Sequence, residues 1–140
     1  MTLPDVNVLM YAYDAGSPFH ERALAWLESE VNGAAFGMSP QALCSAVRIL
    51  TNPRAVKSPE PLEKVLAFAD ALLAQPNCER IAPGARHWRI FCELCRQSDT
   101  KGGLVQDAWF AALAIEWGCE WITLDRDYAR FEGLRWRTPF

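Results

Sequence analysis

Three serine–proline pairs, Ser17-Pro18, Ser39-Pro40 and Ser58-Pro59, divide the first half of this chain and constrain its fold more than any other feature. Serine before proline is a helix start: the hydroxyl accepts from N–H groups of the first turn, and proline, which lacks an N–H, suits the first helical position. Behind the first pair, Phe19, Ala23, Trp26, Leu27 and Val31 recur at helical spacing, which predicts an amphipathic helix over Pro18–Val31 ended by Asn32-Gly33. The second pair opens a helix from Pro40 to Ile49 or Leu50, stopped by Asn52-Pro53. The third precedes a helix over Pro61–Ala74. Short apolar runs lie around them: Thr2–Asp5, leading into an apolar helix Val6–Tyr13, then Ala34–Met38, Cys78–Ala82, Trp121–Leu124 and Leu134–Arg137. Further helices are expected at Gly84–Gln97 and at Leu104–Trp117, the latter closed by Gly118, and Asp125–Phe131 reads as a turn. Strands alternating with helices predict an α/β fold, a sandwich around a mostly parallel central sheet, whose ligands bind beyond the carboxyl ends of the strands.

The 140 residues suffice for one domain spanning 1–140. A hydrophobic fraction of 51% and a charged fraction of 22% suit a globular chain rather than a disordered one. Fourteen basic residues against 17 acidic ones exclude nucleic-acid binding by bulk positive charge, although not by a local patch. Arg126, Arg130, Arg135 and Arg137 crowd near the end, as solvated surface or as groups that pair with phosphate. No apolar run approaches the ~20 residues of a membrane helix, and the start lacks a positively charged leader. With an odd count of five cysteines, these features predict reduced thiols in a cytoplasmic protein. Cys92-Glu93-Leu94-Cys95 falls within a helical stretch with no second ligand pair, so its cysteines are expected to pack rather than react.

The strand ends carry aspartates. Asp5 ends the first strand, Asp125 ends Trp121–Leu124, and Asp107 lies early in a helix that is otherwise apolar around it. Phe110 and Ala111 occupy the positions at which a basic partner for Asp107 would sit. Singly, each aspartate reads as a cap or a dipole partner. Together at one sheet edge they would repel one another unless a cation lay between them, and a donor set of oxygen alone suits Mg²⁺ or Mn²⁺ rather than zinc. No P-loop, G-x-G-x-x-G or G-x-S-x-G is present, and neither His20 nor His87 belongs to a motif. What remains is hydrolysis of a phosphate ester with a water activated by the ion.

Asp5-Val6-Asn7-Val8-Leu9, Asp107-Ala108 and Thr123-Leu124-Asp125-Arg126-Asp127 resemble the PIN-domain ribonucleases, and more closely the VapC-type toxins of bacterial toxin–antitoxin pairs. Ser17–Ala23, Arg48–Arg54 and Phe131–Trp136 extend the likeness over essentially the whole chain. The resemblance implies a PIN-like α/β/α fold, Mg²⁺-dependent endonuclease action on RNA, an antitoxin partner that covers the acidic site, and a homodimer. It makes Asp5 and Asp107 the principal metal ligands and Asp125 the acid of the late strand. Asn7 and Thr123 would orient them, and Asp127 would either assist through a water or hold the turn. One position departs from the pattern: the family commonly carries glutamate three residues before the arginine matching Arg48, and here Ser45 stands there. Two other readings follow. A catalytically degenerate module would hold RNA or a protein without cleaving. A phosphotransfer domain is disfavoured, because Asp5-Val6-Asn7 lacks the second aspartate of a phosphatase and no late lysine follows a strand.

Overall fold

Helix α1 (Val6–Tyr13) begins where Asp5 accepts from the Val6 N–H, and α3 (Pro40–Leu50) where the Ser39 hydroxyl accepts from the Ala42 N–H. These starts match the expected positions in the computed structural model, which describes residues 1–140. Two other helices start later than the spacing predicts. The Ser17 hydroxyl takes the Phe19 N–H at 3.1 Å, a tight turn that delays α2 to His20–Val31. The α5 helix runs His87–Ser98 because the Glu116 carboxylate holds the Gly84 and Arg86 N–H groups, at 2.7 and 2.9 Å, outside the helical ladder. The third pair, Ser58-Pro59, caps nothing; α4 (Leu62–Leu73) starts after Pro61. Helix α6 spans Gly103–Trp117 and ends at Gly118, whose φ of 67° is the left-handed geometry that glycine adopts without strain.

The strands are short: β1 (Thr2–Pro4), β2 (Phe36–Met38), β3 (Cys78–Arg80), β4 (Glu120–Ile122) and β5 (Trp136–Arg137). Every pairing is parallel, as the alternation predicts, in two ladders ordered β1-β4-β5 and β2-β3. Gly37 brings the ladders together. A Cβ there would lie 2.9 Å from Ile81 Cγ1 and 3.0 Å from the Thr2 carbonyl of β1, so only glycine allows β2 this close.

Around the strands, α1 packs on α2 and α3, and α6 packs on α5 and β4. The largely apolar character of α6 follows from its place: Ala108 and Phe110–Ala114 are all buried in the main core, and Phe110 stacks on Trp121 of β4 at 5.4 Å. Trp26 and Trp121 are core residues, as expected, whereas Trp88 and Trp117 are exposed. His87 is buried, its ring against Trp109 at 4.5 Å and its Nε2 2.9 Å from the Trp109 carbonyl oxygen. All five cysteines are unpaired. No helix is long and apolar enough to cross a membrane.

Candidate active site

The register of β1 on β4 pairs Pro4 with Ile122, so the chains leave the sheet side by side with Asp5 and Thr123 next in line. The Thr123 hydroxyl donates to Asp5 Oδ2 at 2.6 Å and accepts from the Asp125 N–H at 3.0 Å. Asn7 closes the link from α1: its Nδ2 donates to Asp5 Oδ2 at 3.1 Å, and its Oδ1 accepts from the Leu124 N–H at 3.3 Å. The capping and clustered roles of these aspartates thus coexist. Asp5 caps α1, and Asp125 accepts from the Asp127 N–H at 2.9 Å to cap a 3-10 turn over Arg126–Arg130, yet both also line one cleft.

Asp107 reaches that cleft from α6. It is the fifth helical residue rather than part of the first turn, so the helix dipole does not account for it. Tyr128, the buried residue of the 3-10 turn, donates to Asp107 Oδ1 at 3.4 Å. The cleft encloses about 280 Å³, and α3 contributes Ser45 and Arg48 to its wall. Asp127 is exposed and does not line the cleft; its Oδ1 lies 4.0 Å from Arg130. Tyr128 and Gln106, also on the wall, carry no signal in the sequence, because a phenol 21 residues from its carboxylate shows no spacing rule.

Electrostatics follow from burial. The Asp5 carboxyl is pushed up to about 6, first by desolvation and further by Asp107 and Asp125, while the bonds from Thr123 and Val6 oppose the rise. Asp107 is also raised, by burial and then by Asp125. Burial and the three carboxylates push the Tyr128 phenol up as well, so it stays a donor. As they stand, no three His, Cys, Asp or Glu side chains are close enough together to hold an ion among them.

This fold has known counterparts. The PIN-domain family model matches residues 2–134. Ribonuclease VapC33 of Mycobacterium tuberculosis is 37% identical over 140 residues, covering 99% of this chain and 98% of its own length. Ribonuclease VapC43 of the same species is 38% identical, covering 99% and 95%. The chain therefore belongs to the PIN-domain family, and within it to the VapC ribonucleases. Solved structures share the fold at lower identity. VapBC2 from Rickettsia felis, bound to a DNA fragment from its promoter, superposes with a TM-score of 0.72 at 18% identity, covering 98% of this chain and 97% of the other. M. tuberculosis VapC20, a sarcin–ricin loop cleaving toxin, superposes at 0.66 and 16% identity, covering 96% and 99%.

Proposed function

We propose that this chain is a divalent-metal-dependent endoribonuclease, the toxin of a toxin–antitoxin pair, in which Asp5, Asp107 and Asp125 hold Mg²⁺, with Mn²⁺ as a substitute. The convergence of these carboxylates from three separate segments on one cleft carries the reading. The donor set suits the ion: the cleft wall includes carboxylate, amide and hydroxyl oxygens and neither imidazole nor thiol. Mg²⁺ is usually held by one or two carboxylates with several waters, so a closed trio is not required. Bound there, the ion would acidify a water and offset charge on a phosphoryl oxygen. The chain's own groups keep the donors in place: Thr123 and Asn7 orient Asp5, and the Tyr128 hydroxyl steadies Asp107.

An apolar groove of about 360 Å³ lies beside the cleft, between Leu43 and Val47 of α3 and Leu66 and Leu73 of α4. It shares Arg48 with the cleft, so an antitoxin segment seated in it would overhang the acidic site. The VapBC relatives, solved as complexes, support such a partner. A homodimer in the cytoplasm completes the proposal.

Induced expression in a bacterium lacking the antitoxin, with RNA 5′ ends mapped, tests the activity. New ends with the wild type, absent with Asp107→Asn, are expected; ends retained in that variant count against the metal assignment. Ser45, on the cleft wall in place of a carboxylate, favours a second reading, the degenerate binding module. A soluble wild type that yields no new ends would support it.

A further inference from the structure

We infer that Arg48 is the substrate-phosphate contact of this cleft, binding the RNA backbone at a phosphate next to the scissile one. This deepens the ribonuclease reading and rests on it. The cleft wall holds three aspartates and a single cationic side chain, Arg48. An RNA strand brings one negative charge per nucleotide into this acidic space, so its backbone needs a positive group to enter.

Arg48 is placed and free for that contact. It is exposed, and no carboxylate lies within 4.0 Å of its guanidinium; the ion pairs of the protein are Arg89–Glu93, Lys101–Asp99, Arg130–Asp127 and Arg137–Glu120. It therefore makes no direct ion pair with the aspartates of the cleft. Ser45 lies one helical turn before it on the same face and also lines the cleft, so the α3 wall presents a hydroxyl and a guanidinium while the other walls present carboxylates. The planar fork of arginine matches two phosphate oxygens, which lysine cannot do. The cleft thus has two sides of opposite chemistry: carboxylates for a cation, and α3 for the phosphate backbone.

The test uses the full chain in two arms. In the first, cleavage is silenced by Asp107→Asn and excess chelator. Binding of a fluorescein-labelled mixed-sequence 20-nucleotide RNA is followed by anisotropy across a salt series. Arg48→Ala is expected to weaken binding about tenfold, as loss of one charge-assisted contact implies, and to reduce the slope of log Kd against log salt by about 0.7. Arg48→Lys should keep the slope while losing part of the affinity. Arg89→Ala, which removes an exposed arginine outside the cleft, should change neither. An unchanged slope in Arg48→Ala, or an equal loss in Arg89→Ala, overturns the inference. In the second arm, with Mg²⁺ and total cellular RNA, Arg48→Ala should raise KM with kcat largely kept. A wild type that binds with the Arg48-dependent slope but cuts nothing overturns the nuclease reading and leaves the phosphate contact standing. A fall in kcat with KM unchanged overturns the placement at a neighbouring phosphate.

Discussion

Thr123 is a small residue on which much of the cleft depends. It is fully buried, and its hydroxyl joins β4 to both Asp5 and the backbone of Asp125. Thr123→Val keeps the shape and removes these two bonds and the one accepted from Asn7 Nδ2 at 3.2 Å, leaving a buried carboxylate one donor short. The expected loss is about 1.5–3 kcal/mol, read as a lower urea midpoint at unchanged slope. Asp5 itself should give the metal-free protein a pH dependence. The unfolded carboxyl titrates near pH 4, whereas burial moves the folded one up to about 6. Between those values the folded chain holds a proton that the unfolded chain has released. The contribution of Asp5 is therefore fully present below about pH 4 and is lost as pH rises through 6, on the order of 2–3 kcal/mol. Urea unfolding in chelator from pH 4 to 7 should show this fall, and Asp5→Asn, which can still cap α1, should show a smaller one, the remainder coming from the raised Asp107. A metal-free wild type equally stable across the range would count against a buried, raised carboxyl. Asp5 also shows how far local sequence carries: its cap on α1 is legible from five residues, but its bond to a threonine 118 positions away is not.

Among the elements, a tightly constrained contact joins the two ladders. Gly37→Ala places a methyl 2.9 Å from Ile81 Cγ1 and 3.0 Å from a backbone carbonyl that cannot swing aside. The two ladders must then separate by several tenths of an ångström, at about 1–3 kcal/mol. Thermal unfolding should show a lowered midpoint, and an unchanged one would mean that the ladders slide freely. The helices with clear starts, α1 and α3, are those in which a side chain satisfies the first N–H groups within the same few residues. The start of α5 is different, because its approach is held by Glu116 from α6, 30 residues later, which no local pattern encodes. The β4 strand stops at Ile122 rather than Leu124, because the Leu124 N–H goes to the Asn7 side chain rather than to a neighbouring strand.

At the scale of the whole molecule, the fold gathers like charges at one end of β1 and β4, and under the proposed metal centre the native state would bind a cation better than the unfolded chain. Mn²⁺ or Mg²⁺ should therefore raise the melting temperature, with a stabilisation of about 2.7 kcal/mol at a hundred times Kd. The rise should be lost in Asp107→Asn, and its absence from the wild type at millimolar ion would contradict the proposed centre. Sequence alone determined the α/β class and the extents of α1 and α3, and it singled out Asp5, Asp107 and Asp125 as the candidates for the site. Capping, proline and apolar spacing act over three or four residues, so a linear chain displays them. The tertiary structure decided that Asp5, Asp107 and Asp125 share one cleft, that Asp127 stays outside it, that Tyr128 enters it and that Arg48 faces the acids unpaired. Those outcomes depend on parallel pairing of β1 with β4, segments more than 110 residues apart, and on the burial of α6 beside them. Strand order and burial arise from contacts across the whole chain, and no local rule carries that information.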